Sequence, residues 1–274
     1  MKIFYHSRDL DGTASAAIIL QYRSDLDPCP IDYGDPFPWD KISCDERERI
    51  YMVDFSLPRS EMERLNTIAE LTWIDHHKTA IAEMEGLNIP GLRRTDSAAC
   101  ELCWEWCHPD IEVPRSIRLL GRYDIWDHSG EYADWETEIY PFQLGARIQW
   151  PLPTPPDYRD MVTERKVPSL ISDGIAIDKY LASGRKTIEA VMFSGDLSIC
   201  NSINIPHPKI LEEILAESPG GMAAFYFRRG DGRWQVSLRA DTQRADASIY
   251  AKAHGGGGHP GAAGFICHEM PFKK

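Results

Sequence analysis

The sequence lacks any run approaching the roughly 18 consecutive apolar residues that a membrane span requires, although 43% of its 274 residues are apolar. Its opening, MKIFYHSRD, is charged and polar where a signal peptide would be apolar, so the expectation is a cytoplasmic protein. An excess of basic residues is also missing. Lys and Arg number 30 against 42 Asp and Glu, a formal net charge of −12, which opposes binding to long nucleic acid through phosphate neutralisation. A small anionic substrate held by a few placed side chains is still allowed, and acid clusters suit hard divalent cations. Seven cysteines, an odd number without a secretory signal, argue against a disulfide framework. Cys100, Cys103 and Cys107 fall on one helical face with Ala99, Leu102, Trp104 and Trp106, and no second CxxC completes a tetrahedral site. They read as core, since a free cysteine packs as a small hydrophobe. There is no internal repeat, and low complexity is confined to one glycine run near the C-terminus.

What is present is a succession of short apolar runs, each ending in acids or histidines. Lys2 to Tyr5 reads as a buried strand entering His6-Ser7-Arg8-Asp9-Leu10-Asp11-Gly12, and Thr13 to Tyr22 as a small-residue helix packed on a sheet. Pro28 to Asp40 reads as a loop, with Ile31 to Tyr33 at most a brief strand. Ile50 to Val53 ends at Asp54, and Leu71 to Ile74 ends at Asp75-His76-His77. Between them SEMERLNTIAE, Ser60 to Glu70, reads as a helix with Ser60 as N-cap and Glu63 three residues on. Strands alternating with helices predict an α/β fold with a doubly wound, mainly parallel sheet. Helices follow over Ser97 to Cys107 and Pro114 to Tyr123. The proline-rich stretch from Trp150 to Pro156 marks a linker, and Asp173 to Phe193 reads as one long bridging helix. Met222 to Phe227 and Trp234 to Arg239 read as a hairpin about an Asp231-Gly232 turn, with a short helix at Ala245 to Ala253. Three parts result: residues 1–150, a linker over 151–194, and a smaller α/β domain over 195–274, with an active-site cleft expected between the two domains.

In open α/β sheets the C-terminal ends of the strands are where ligands bind. His6, Asp9 and Asp11 on one turn, with Asp54 and His76 at other strand ends, form a carboxylate and imidazole set suited to a dinuclear hydrolase. Adjacent histidines on an extended segment point to opposite sides, so His76 and His77 can take different tasks, and Asp75 can orient a ring. Asp124 and Asp127 compete for the last ligand position; Asp124 is preferred because it follows the apolar Leu119-Leu120 more closely. Polyglycine over Gly255 to Gly258 before His259-Pro260-Gly261 lets backbone N–H groups approach an anion. Ser237 and Arg239 on the preceding strand are placed to reach the same phosphate.

The motifs HSRDLDG, Asp54 after an apolar strand, Asp75-His76-His77 and GGGGHPGAAG, in this order over nearly the whole chain, resemble the DHH phosphoesterase superfamily with its associated C-terminal domain. The opening HSRDLDG looks most like the nano-RNase and cyclic-nucleotide-phosphodiesterase-like branch; YDIWDH departs from the Asp-Thr pair of many relatives. The resemblance implies a hydrolase with two divalent ions, Mn2+ first and Mg2+ or Co2+ as substitutes. His6, Asp9 and Asp54 would hold one, and Asp11, Asp54, His76 and Asp124 the other. Catalytic roles would fall to Asp54, Asp75 and His77, the last contacting the scissile phosphate or protonating the leaving group. Arg239, Ser237, Gly256, Gly257, Gly258 and His259 would hold a nucleotide phosphate. The expected substrate is a 5′-phosphorylated oligonucleotide of two to five residues, cut to mononucleotides. Cyclic dinucleotides, 3′-phosphoadenosine 5′-phosphate and a catalytically silent nucleotide sensor are the alternatives. No membrane partner is expected, and a homodimer is compatible with the sequence.

Overall fold

The structure, a computed structural model, describes residues 1–43, 47–183, 191–194, 197–201, 208–270 and 272. The chain divides into two units, Met1–Ile177 and Asp178–Lys274.

The first unit is built on a parallel sheet in the order β2-β1-β3-β4, with β1 at Lys2–His6, β2 at Asp27–Ile31, β3 at Arg49–Val53 and β4 at Glu70–Ile74. Alternate side chains along each strand enter opposite faces. Ile3, Tyr5, Tyr51, Val53 and Ile74 pack with helices α1 (Leu10–Tyr22), α4 (Ala99–Cys107) and α5 (Arg115–Asp124). Phe4, Ile50, Met52, Leu71 and Trp73 pack with α2 (Arg59–Ile68) and α3 (Lys78–Glu83). Both faces are therefore covered, which is why these strands read as near-continuous apolar runs. Cys100, Cys103 and Cys107 lie buried in the first of these cores as thiols. A turn of π-helix at Trp135–Ile139, then α6 (Tyr140–Gln149), α7 (Tyr158–Val162) and α8 (Val167–Ser183) complete the unit, the boundary falling within α8.

Several sequence expectations are corrected. The stretch read as a loop contains edge strand β2, whose Pro28 and Pro30 are tolerated because an edge strand need not donate every N–H. Helix α2 begins at Arg59 after Pro58, so Ser60 is inside it and caps nothing. Proline sets the required φ, and Arg59 N–H donates instead to Glu83 Oε1 at 3.2 Å. The long helix expected to reach Phe193 does not do so: it is described as far as Ser183, 184–190 lie outside the described residues, and Val191–Ser194 is a strand. Its Val-Met-Phe sequence suits the ladder it forms with Leu197–Cys200.

In the second unit a mixed sheet runs β5-β6-β7-β8-β10-β9, with β5 at Val191–Ser194, β6 at Leu197–Asn201, β7 at Met222–Arg228, β8 at Trp234–Ala240, β9 at Gly257–Gly258 and β10 at Ala262–Cys267. Helices α9 (Pro208–Glu217) and α10 (Ala247–Ala253) accompany it. The expected hairpin turn is present, with Gly232 at φ 86° and Arg229 N–H donating to Arg233 O at 2.8 Å. Among the described residues no helix is long and apolar enough to cross a membrane.

A tight backbone approach near the sheet's C-terminal end occurs at Gly12. A Cβ there would sit 2.1 Å from His6 O, so α1 can leave β1 this tightly only with glycine. Gly12→Ala is expected to cost about 1–3 kcal/mol, as overpacking does, and to push the helix off His6. Urea unfolding with an unchanged midpoint would contradict this.

Candidate metal centre

Each strand of the parallel sheet delivers a polar side chain to its C-terminal end: His6 from β1, Asp32 after β2, Asp54 after β3 and Asp75 after β4. Strand order reverses about β1, with β2 on one side and β3 on the other, and such a switch point is where an open sheet leaves a crevice. Asp54 occupies the left-handed region at φ 52°, a conformation that Asp tolerates better than most residues and that turns its carboxylate inward.

Three groups of potential donors share Asp54, one of them with Asp75 and His77, and the other two form a pair of donor sets. One ligand atom from each of His6, Asp9 and Asp54 lies within 4.8 Å of the others, and the same holds for Asp11, Asp54 and His76. His6 Nδ1 is 2.8 Å from Asp9 Oδ2 and 3.6 Å from Asp54 Oδ2. His76 Nε2 stands 3.2 Å from Asp54 Oδ1, 3.2 Å from Asp124 Oδ2 and 3.3 Å from Asp11 Oδ2. Asp54 thus turns one oxygen toward each imidazole. All six sequence-derived ligand candidates come together. Asp127, the competitor, faces Arg122 at 3.6 Å and caps Ser129 N–H at 3.0 Å.

Supports around the cluster explain its placement. Asp9 is the N-cap of α1, accepting from Gly12 N–H at 2.9 Å. Asp11 is buried and accepts from the N–H groups of Ala99 and Cys100 at 2.9 and 2.7 Å, so the N-terminus of α4 faces its charge. Asp124 ends α5, and α5 is tied to α4 through buried Glu101, whose carboxylate meets Arg122 at 2.6 Å and Arg118 at 3.3 Å. Gly121 lets that carboxylate approach, since a Cβ there would lie 2.3 Å from Glu101 Oε2. Asp75 is wholly buried and accepts from Trp73 Nε1, from the N–H groups of His76 and His77, and pairs with His77 Nδ1 at 2.7 Å. It therefore orients His77 and stands behind the ligands, with His77 Nδ1 also 3.7 Å from Asp54.

The electrostatics show what the cluster requires. Burial, with the charges of Asp54, Asp124 and Asp9, holds the Asp11 carboxyl well above its usual range. Burial also raises Asp124, to about 6. Burial would raise Asp54 too, but hydrogen bonds from His6 and His76 bring it below the carboxylate range. Burial alone would lower His6, yet Asp9, Asp32 and Asp54 lift it well above the imidazole range. His77, likewise disfavoured by burial, is raised to about 9 by Asp75. Asp32 is depressed to about 2, because hydrogen bonds with His6 and Arg8 outweigh its desolvation. So many buried carboxylates repel one another without a cation, and oxygen donors with imidazole are what hard and intermediate divalent ions accept. The donor set fits such divalent ions.

A pH dependence follows. In the ion-free protein His6 and Asp124 hold protons to higher pH than usual, and ligation must displace them. Apparent affinity for Mn2+ is expected to rise from about pH 5.5 through neutrality, by about tenfold per pH unit for each proton released. Titration of free Mn2+ by electron paramagnetic resonance at several pH values checks this; a flat profile contradicts it.

The other candidate residues lie in the second unit. Ser237 and Arg239 share the half-buried face of β8, opposite the core residues Val236 and Leu238, and Arg239 Nη1 donates to Leu238 O at 2.8 Å. The glycine run differs from an open cradle. Gly257 and Gly258 form β9 against β10, while the N–H groups of Gly255, Gly256 and His259 donate to Lys252, Ala251 and Ala262 carbonyls. Gly256 is packed so closely that a Cβ would lie 2.0 Å from Gly264 O. Sequence reasoning missed Asp32, which contacts both His6 and Arg8. The signal was available: Ile31-Asp32 repeats the apolar-to-Asp ending of Val53-Asp54 and Ile74-Asp75.

No family model matches the chain. Uncharacterized protein R106 of Acanthamoeba polyphaga mimivirus is 25% identical over 318 residues, spanning 99% of this chain and 69% of the viral protein. Among solved structures, a RecJ in complex with Mn2+ from Thermus thermophilus superposes with a TM-score of 0.49 at 16% identity, over 97% of this chain and 49% of that one. A pGpG-specific phosphodiesterase, PggH of Vibrio cholerae, gives a TM-score of 0.45 at 12% identity, over 97% and 93% of the two chains. An uncharacterized protein of Helicobacter pylori G27 is similar over 100% of this chain and 94% of its own, with a TM-score of 0.45 and 16% identity.

Proposed function

We propose that the chain is a metal-dependent phosphoesterase of the DHH type, acting in the cytoplasm on short 5′-phosphorylated oligonucleotides and releasing mononucleotides. The observation that carries this reading is the pair of donor sets sharing Asp54, supported by the order of the four sequence motifs. His6, Asp9 and Asp54 would hold one divalent ion and Asp11, Asp54, His76 and Asp124 the other, with Mn2+ preferred for this mixture of carboxylate and imidazole. When bound, two such ions supply Lewis-acid chemistry, lowering the pKa of water and neutralising charge on phosphoryl oxygens.

The remaining roles belong to the protein's own side chains. His77, fixed by Asp75, donates a proton to the leaving oxygen or a hydrogen bond to the scissile phosphate. The first unit carries this chemistry and the second binds substrate, with Arg239, Ser237 and His259 recognising a nucleotide phosphate and the glycines over 256–258 shaping that turn. A net charge of −12 gives long polyanions little attraction, so short substrates are favoured.

A substrate panel tests this. With Mn2+ present, kcat/KM is expected to be highest for 5′-phosphorylated oligonucleotides of roughly two to five residues and to fall for longer strands. Arg239→Ala is expected mainly to raise KM. Processive digestion of long single strands without a preference for short ones, or faster turnover of cyclic dinucleotides, would reject this substrate assignment.

A further inference from the structure

His6 offers its two ring nitrogens to different neighbours. Nδ1 faces Asp9 and Asp54 at 2.8 and 3.6 Å, whereas Nε2 faces Asp32 Oδ1 at 3.4 Å. Asp32 lies outside every donor group that shares Asp54. It is nevertheless buried and held from several directions. Its Oδ1 accepts from Tyr33 N–H at 2.8 Å, its Oδ2 accepts from Arg8 Nε at 2.9 Å, and its own N–H donates to Asp35 Oδ2 at 3.1 Å. The preceding residue is locked to the metal-binding turn, because Ser7 N–H donates to Ile31 O at 3.0 Å.

We propose that Asp32 is a positioning residue for the metal centre: it accepts the Nε2–H of His6, which leaves the Nδ1 lone pair facing Asp9 and Asp54, and Arg8 fixes the carboxylate that does so. A ring free to take either tautomer spends part of its population with a proton where the ion must sit. A carboxylate behind an imidazole removes that population, fixes the ring plane and makes the imidazole a stronger donor. Arg8 is suited to its part because Nε binds one carboxylate oxygen and leaves the other for His6. The inference rests on the metal reading above, and Asp32 touches no substrate atom in it.

The test measures ion binding and the state of one ring. Mn2+ is titrated into the wild type, Asp32→Asn, Asp32→Ala and Arg8→Ala, with free ion read by electron paramagnetic resonance. Ring nitrogen shifts of His6 are read in the diamagnetic Mg2+-loaded proteins. In the wild type the proton is expected on Nε2. In Asp32→Ala one of the two ions should bind about 10–100-fold more weakly, the range set by losing such a supporting partner, while the second ion changes little. Asp32→Asn retains an acceptor for Nε2–H but loses the charge, so it should fall between the two, and Arg8→Ala should lose less than Asp32→Ala. The proposal is overturned if Asp32→Ala binds both ions as the wild type does. It is equally overturned if both ions weaken together as Tm falls, or if wild-type His6 carries its proton on Nδ1. A wild-type protein that takes up no divalent ion would overturn the metal reading itself, and this inference with it, before any variant is compared.

Discussion

Asp54→Asn is expected to eliminate turnover while leaving the fold intact. Asn tolerates the left-handed backbone at φ 52° as well as Asp does, so the substitution preserves shape and removes only the charge. That charge lies between two imidazoles, 3.6 Å from His6 and 3.2 Å from His76, and the carboxylate belongs to both donor sets. Losing it should weaken both ions at once and lower kcat by roughly 10³ or more, at or beyond the cost of removing one charge-stabilising donor. Residue Asp9 belongs only to the first set, so Asp9→Asn should weaken one ion more than the other. Ion stoichiometry and kcat measured on both variants separate the cases. An Asp54→Asn enzyme with wild-type turnover would show that the shared carboxylate is not the centre of the chemistry.

His77→Ala is expected to separate chemistry from ion binding. His77 stands beside Asp54 at 3.7 Å but is held by Asp75 at 2.7 Å, and in the ion-free protein Asp75 raises its pKa to about 9. Removing a positioned general acid lowers rates by about 10²–10⁴, so kcat should fall by that factor while both ions bind nearly as before. Asp75→Asn should give a smaller loss and return the His77 pKa toward the usual imidazole value, because the charge that raises it is gone. The sign has a consequence for stability. A histidine raised on folding contributes stability that is complete below its unfolded pKa of about 6.5 and is lost as pH climbs through about 9, so the ion-free protein should weaken over that window. Equal loss of ion affinity and turnover in His77→Ala would move His77 into the ligand set.

Much of the first unit was legible because its strands are buried on both faces. Phe4, Met52 and Trp73 fill one side and Tyr5, Val53 and Ile74 the other, so β1, β3 and β4 appear as apolar runs with a polar residue at each end. The edge strand was not legible, since Pro28 and Pro30 carry the composition of a loop and only pairing with β1 on one side makes them a strand. Missing β2 concealed Asp32, because its apolar-to-Asp ending at Ile31-Asp32 carries meaning only once the residues before it are read as a strand. Glu101 was hidden for a different reason: an acid inside an apolar helix is decided by tertiary partners, here Arg118 and Arg122. The glycine run shows the reverse limit. Its composition announced a special backbone, and Gly258 at φ 132° bears that out, but whether amides face a ligand or a neighbouring strand depends on pairing with Ala263 and Gly264.

The most direct test is the rate of mononucleotide release from a 5′-phosphorylated dinucleotide by the purified protein, measured after removal of divalent ions and again after Mn2+ is restored. The expected result is no release without ions and full recovery at two Mn2+ per chain. Release that persists unchanged in the ion-free protein, or none after both ions are bound, would contradict a dinuclear phosphoesterase centred on Asp54.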